Sequence, residues 1–402
     1  MPHKFFNAKY GQPLRALLTG GNYLSEIVHF GDKQIFEGAT TYTNLLFLDK
    51  SGSEEFRFVK VEDLSAWRNA IKADGTIIPS NNATEHEWNF ATGLSLELLD
   101  KLSRNPTKLL NAASRIAQGI RTSANEIYVM ELISKSSDGK IVNVKSKLLD
   151  KNFEIERNVI SLFLQGREIK PYSILPSSKV VIIPYDAENG RMKFIVREEM
   201  QNRYPKTYQY LLENKIELEE REHGKMKGDS WYAYVYPKNL EVMKACKILV
   251  PDIANRGSFA LDELGEYSFT SGYGIILKSD LKESVKFVLG LLNSKVLDFY
   301  LKRISTTMRG GFFRYFAQYL EQLPIRTIDF SDPADVARHD RMVSLVEKML
   351  DLHKQLPKAG TPHEKTALER QIEATDGQID ALVYELYGLT EEEIGIVEAA
   401  GR

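Results

Sequence analysis

Residues 14–48 read LRALLTGGNYLSEIVHFGDKQIFEGATTYTNLLFL, and the order of patterns in this stretch sets the fold class of the N-terminal part. Helical spacing around residues 14–18 stops at Gly20-Gly21, the residue type that most easily ends a helix. Two apolar runs of strand length follow, at residues 24–29 and 43–48. The connection between them is rich in Gly and Thr and too long for a tight hairpin. A helix followed by two such strands predicts an α/β fragment over residues 1–50. Residues 51–105 are more polar and weakly periodic, which predicts a connecting region, with Trp67 and Trp88 as its apolar anchors.

Outward from there the patterns mix. Runs at 179–183 and 247–253 are β-like, and WYAYVY at 231–236 alternates as a strand would. Residues 204–223 read as a charged surface helix and 284–301 as an amphipathic one, while Pro324 punctuates a helix end. Beyond residue 330, Met342, Leu345, Val346, Met349 and Leu352 mark one helix, and Ile372, Ile379, Leu382, Val383 and Leu386 a second. The breaker PKAGTP between them predicts an antiparallel helical pair over 331–402. The whole is expected to be an α+β protein.

With 402 residues, 43% hydrophobic and 27% charged, the chain can bury a sizeable core, which excludes a disordered tail or a small disulfide scaffold. Cys246 is the single cysteine, which fits a reducing compartment, so a cytoplasmic location is expected. No run approaches the length of a membrane span. The net charge of −2 hides an asymmetry: residues 331–402 hold 15 acidic and 8 basic residues, a balance of −7. Residues 1–330 therefore carry 45 basic against 40 acidic residues, a balance of +5 that permits a polyanionic partner.

Complete catalytic motifs are missing. The sequence has no GxGxxG, Walker loop, HExxH or GxSxG, and its 7 histidines lack ligand spacing. Pro251-Asp252 followed by Asp280-Leu281-Lys282 is a near miss for a metal-dependent nuclease, and surface loop charge is the simpler reading.

FGDKQIFEGATTYTNLLFL, taken with LQGREIKPY and LEQLPIR, resembles the C-terminal part of an adenine-specific DNA methyltransferase of the TaqI-like type. The fused restriction–modification enzymes, in which one chain carries both activities, are the nearest likeness. MPHKFFNAKYG and FGDKQIFEGATTYT are similar to late blocks of the methyltransferase core. AQGIRTSANEIYVM, LQGREIKPY, CKILVPDIANRG, LLNSKVLDFYLK and LEQLPIR resemble successive blocks of the target-recognition domain, which would span 106–330. QIDALVYELYGLTEEE is similar to the C-terminal helices of the fused enzymes. The family's Asn/Asp-Pro-Pro-aromatic loop is not here, since no Pro-Pro dipeptide occurs, and neither is its Gly-containing S-adenosylmethionine loop. The resemblance therefore implies a chain that starts past its own chemistry, binds no cofactor itself, and depends on a catalytic half that holds S-adenosylmethionine.

What the resemblance leaves is recognition of double-stranded DNA. An enzyme that modifies a base must swing it out and hold it by stacking. The resemblance puts Phe36 at the stacking position, with Tyr42 as a substitute; a core phenylalanine between two strands is the alternative. Arg121, Thr122 and Asn125 have the donors and acceptors for base edges, though a capped turn would use the same residues. Arg167 and Lys170 could anchor phosphates beside Gly166, or form an ordinary charged turn. The richest patch is KRISTTMRGGFFRYF: residues 295–326 hold six cations against two acids, a net of +4. Arg303, Thr306, Arg309 and Arg314 there, and Arg256 in ANRG, complete the candidate DNA contacts. WYAYVY is assigned to sheet packing. The acidic helical pair would repel phosphates, so it is assigned to packing or to a homodimer contact. A non-catalytic specificity subunit docking separate methyltransferase and nuclease chains is the alternative function.

Overall fold

A computed structural model describes residues 1–400 except 7, 32, 37, 39, 40, 62, 70–73, 87, 89, 91–93, 189 and 190. The helix Gln12–Gly20 and the strands Leu24–His29 and Asn44–Leu48 lie where the opening stretch predicts them. They belong to a four-stranded sheet ordered Asn44–Leu48, Leu24–His29, Glu55–Lys60, Thr76–Pro79. The first two strands run antiparallel, whereas Leu24–His29 and Glu55–Lys60 are parallel, with Val28 beside Val59. A sheet that takes strands from both sides of residue 50 corrects the expected break there: much of 51–105 completes the sheet rather than linking it to something else. The weak periodicity has a physical cause, because short strands of mixed exposure carry little alternation. On one face Ile27 and Phe56 pack with Phe5, Phe6 and Trp88. On the other, Val28 and Val59 pack with Phe30 and Trp67, whose ring meets Phe30 edge-on at 5.0 Å.

The middle of the chain builds two larger sheets. One has six strands, with Ile160–Leu164, Lys179–Ile182 and Val129–Lys135 adjacent at its centre. The other has four, ordered Ala260–Asp262, Lys247–Pro251, Gly272–Leu277, Ala113–Gln118. Residues 204–223 form Pro205–Glu213, Lys215–Glu219 and the start of Arg221–Gly224, and Tyr210, Leu211 and Leu218 are fully buried on the six-stranded sheet. The surface helix of the sequence reading is thus a core helix with a charged outer face.

WYAYVY is not a strand. Trp231, Tyr232 and Tyr234 are all buried, yet their backbone joins no sheet ladder, and Tyr234 reaches the strand Lys179–Ile182 only through its hydroxyl, which donates to the Ile182 carbonyl at 2.5 Å. Instead the buried Arg221 guanidinium donates to the carbonyls of Trp231 at 2.8 Å and Ala233 at 2.9 Å. The amide of Tyr234 donates to the Tyr185 hydroxyl at 2.9 Å. Side chains replace a ladder here, so buried backbone polar groups are paired without any sheet.

Residues 284–301 divide into Val285–Asn293 and Lys295–Ile304 at Ser294, whose hydroxyl caps the second helix. Pro333–Gln355 and Pro362–Leu386 form the expected pair, and a third helix, Glu391–Ala400, follows. Met342, Val346, Met349, Ile379 and Val383 pack into the same core as Val288 and Leu292. A Cβ at Gly290 would stand 2.5 Å from the Met342 sulfur, so glycine sets how closely the two helices approach. The apolar stripes of the helical pair are therefore buried inside the chain. The mixture of helices with several small sheets is α+β, as expected. Among the described residues no helix is long and apolar enough to cross a membrane.

Candidate nucleic-acid interface

The basic, aromatic stretch 302–316 runs from the last turn of the helix Lys295–Ile304 into a hairpin. Thr307–Met308 pairs with Phe312–Arg314, which pairs in turn with Ile253–Ala254. Gly310 and Gly311 turn it with φ of +83° and +75°, a left-handed conformation that a side chain would strain. The base is pinned by Ser305, whose hydroxyl donates to the Arg314 carbonyl at 2.6 Å and accepts from its amide at 3.1 Å. The Thr306 hydroxyl meets the Tyr319 hydroxyl at 2.7 Å. At the tip, the Arg309 amide donates to the Tyr42 hydroxyl, which joins the hairpin to the N-terminal sheet while the Arg309 side chain remains exposed.

Between hairpin and sheet lies a cleft of about 700 Å³. Phe6, Phe58, Trp88 and Phe90 supply aromatic surface, and among the described residues Lys4, Lys33, Lys60, Lys302 and Arg303 supply cations against one acid, Asp74. Thr306 and Thr307 line the hairpin side. Lys302 is tied to Asp298 at 2.8 Å. Arg303 lies 4.6 Å over the Phe299 ring, donates to the Ser95 hydroxyl at 3.3 Å, and has its pKa lowered by burial. His3 and His29 stack in the cleft at 4.8 Å. Burial lowers their pKa values to about 4 and about 3, so both rings are neutral at pH 7.

A second patch gathers at the far end of the hairpin. Arg121 follows Ala113–Gln118, whose Gln118 pairs with Tyr273, and Tyr273 sits beside Phe316 with centroids 6.2 Å apart. Arg314 lies 4.9 Å over the Phe316 ring. Asp252 continues the strand Lys247–Pro251, and its carbonyl accepts from the Tyr315 amide at 3.0 Å. Burial raises the Asp252 pKa, while the backbone amides of Asp252 and Ile253 and the Arg314 charge pull it down. The structure thus brings Arg121 and Arg314 together, and adds Asp252, Tyr273 and Phe316. Tyr273 and Phe316 were not singled out from sequence, and Asp252 was weighed only as a nuclease fragment. Their convergence depends on strand pairings between positions some 150 residues apart.

Other candidates lie elsewhere. Thr122 is buried; its hydroxyl donates to Asn125 Oδ1 at 2.7 Å and accepts from the Ala124 amide. That is the capped turn weighed above, so Thr122 drops out as a base contact and Asn125 is engaged through it. Arg167 is exposed and pairs with Glu168 at 3.0 Å, and Lys170 is exposed at the end of a two-residue strand. A Cβ at Gly166 would stand 2.3 Å from the Ser271 carbonyl oxygen, so the close approach that glycine permits is to the chain itself. Arg256 turns toward the helical pair, where its charge acts on Tyr172, Tyr315, His353 and Asp376, and it does not line the cleft. Phe36 is 61% exposed, which removes the core-phenylalanine alternative. Asp280 and Lys282 sit with Ile328–Ser331 residues in a separate hollow from the Asp252 patch, so the nuclease fragment is not assembled. Among the described residues no metal-binding cluster of His, Cys, Asp and Glu occurs.

Comparison with known proteins converges on the same region. Residues 161–325 match the TaqI-like C-terminal specificity domain family, which covers both strands flanking Asp252 and the whole hairpin. Over 99% of its length the chain is 28% identical to 41% of the type II restriction enzyme and methyltransferase RM.Eco57I of Escherichia coli. It is 23% identical over 97% of its length to 64% of the type II methyltransferase M.XhoI of Xanthomonas vasicola. M.BstVI of Geobacillus stearothermophilus is 20% identical over 99% of this chain and 64% of its own length. The chain thus spans less than two thirds of each of these relatives. Residues 161–325 are thus similar to TaqI-like C-terminal specificity domains, and the chain as a whole is similar to type II restriction–modification methyltransferases.

Proposed function

We propose that this chain recognises a short duplex DNA sequence on behalf of adenine amino-group methylation in a cytoplasmic restriction–modification system. The observation that carries it is the hairpin 305–316, which lies inside the matched specificity domain and sets the exposed Arg309 and the half-buried Arg314 beside an aromatic, cation-lined cleft. Cations anchor phosphates without reading sequence, whereas the hairpin's Arg and Thr side chains suit base edges. In this reading Phe36, exposed three residues along the chain from the cleft-lining Lys33, stacks on the extruded adenine.

The methyl-transfer chemistry belongs to a polypeptide segment outside these residues. S-adenosylmethionine carries a sulfonium cation, and a cleft walled by Lys4, Lys33, Lys60 and Lys302 does not suit it. The N-terminal sheet supports such a partner. Asn44–Leu48 is an edge strand in a four-stranded sheet, with Leu45 39%, Phe47 49% and Leu48 53% exposed. An exposed apolar edge strand is what a docking strand would cover. The second reading, a non-catalytic specificity subunit, has no use for an exposed stacking residue at position 36.

Selection of the purified chain on a randomised duplex library at low and moderate salt tests the proposal. Enrichment of one short motif is the expected result. Binding that is uniform across sequences and vanishes with salt would overturn it.

A further inference from the structure

We infer that Asp252 and Arg314 together read one G·C base pair, with Asp252 accepting from the cytosine amino group and Arg314 donating to guanine. This deepens the DNA-recognition reading above and rests on it.

The argument begins with the arginine. Its backbone is fixed from two sides, by Ser305 and by pairing with Ile253, so its side chain springs from a rigid base. The guanidinium lies over the Phe316 ring, 4.9 Å from its centroid, which limits its rotamers in advance of any ligand. Its Nε is buried, which leaves the terminal Nη1 and Nη2 as the donors that can meet a ligand. A guanidinium fork held in place is suited to a planar acceptor pair, and guanine O6 and N7 present one in the major groove.

The carboxylate then decides between phosphate and base. Arg121 and Arg314 near one another would make an ordinary phosphate anchor. Asp252 stands next to Ile253, which pairs with Arg314, and its carbonyl accepts from the Tyr315 amide at 3.0 Å, so the Arg314 charge acts on it, and it acts in turn on Tyr273, which Arg121 also feels. A carboxylate placed there would repel a phosphate, weakening the anchor it sits in. At a base edge the same carboxylate is an acceptor, and the cytosine N4 amino group is the major-groove donor that suits it. Arginine to guanine and aspartate to cytosine are the two halves of one pair. Tyr273 and Phe316 flank the site with apolar surface that excludes water, which strengthens both hydrogen bonds. Arg121, exposed and bonded only to Gln118 Oε1 at 3.1 Å, is left for a neighbouring phosphate.

The test is selection of the full chain and of its Asp252→Ala, Asp252→Asn and Arg314→Ala variants on randomised duplexes, with salt dependence measured for each. Each variant is expected to lose preference at the same single G·C position, by roughly 5–100-fold, while the rest of the motif is retained. Circular dichroism melts confirm that each variant folds, and Asp252→Asn keeps the volume if Asp252→Ala does not. If the two Asp252 variants bind all sequences more tightly with an unchanged motif, the patch is a phosphate anchor and the inference is overturned. A motif unaffected by any variant overturns it as well. If the unsubstituted chain selects no motif, the proposed function fails first, which separates the two failures.

Discussion

Arg221 shows how much one side chain can organise. Its guanidinium donates to the carbonyls of Leu218, Thr122, Trp231 and Ala233, and through them holds the irregular WYAYVY segment in the core. Replacing it with methionine keeps the bulk and strands those carbonyls, so Arg221→Met is expected to cost about 3 kcal/mol or more in urea unfolding. A loss under about 1 kcal/mol would mean that solvent or neighbours take over the bonds. His3 and His29 make a second residue-scale case, because burial keeps both neutral in the folded chain, with pKa values of about 4 and about 3. Above the unfolded value of 6.5 neither state binds extra protons. As pH falls below 6.5 the unfolded chain takes up protons that the folded one refuses, so stability drops until the folded pKa values are reached. Hydrogen exchange in 24–60 should therefore accelerate between pH 6.5 and 4, and a His3→Asn, His29→Asn double variant should flatten that dependence. An unchanged acid dependence in the double variant would assign it to other groups.

At the scale of elements, the hairpin turn carries the clearest prediction. Gly310 and Gly311 both need positive φ, and valine at Gly311 would strain the tip by roughly 1–3 kcal/mol. The hairpin lies at the edge of the fold, so Gly311→Val is expected to cut duplex affinity several-fold while shifting Tm by only a few degrees. Equal affinity would remove the hairpin from the interface. Elements with a long single period were legible in the sequence: Pro333–Gln355, Pro362–Leu386 and Leu24–His29 lie where periodicity and Gly or Pro punctuation put them. Three were not legible, each for its own reason. WYAYVY alternates like a strand, but a distant arginine supplies its bonds. Glu55–Lys60 joins Leu24–His29 in parallel, a pairing that no local signal encodes. Asp252 gains meaning only when Gln118–Tyr273 and Ile253–Arg314 pairings bring its neighbours in. Composition did single out the hairpin, because cations, hydroxyls and aromatics are concentrated there within a short span.

For the molecule as a whole, the N-terminal sheet ends in the apolar edge strand Asn44–Leu48, which the described residues cover only at its start, where Pro2 bridges Thr43 and the Met1 carbonyl accepts from the Asn44 amide. Alone in solution it is expected to self-associate through Asn44–Leu48, and Leu45→Lys with Phe47→Lys should shift light scattering toward the monomer. Unchanged scattering would place any association elsewhere. The same edge is where a methyltransferase segment would add its strand, which sets the cleft between the chemistry and the specificity domain. Charge fits that division, since the acidic C-terminal helices pack behind the domain core and leave the cationic cleft open. The central claim is that this surface reads sequence, not merely charge. The most direct test is the ratio of dissociation constants for the selected duplex and for one with a single changed pair, followed as salt is raised. The account predicts that both constants weaken with salt while their ratio holds near 5–100-fold. A ratio that stays at one at every salt concentration would contradict it.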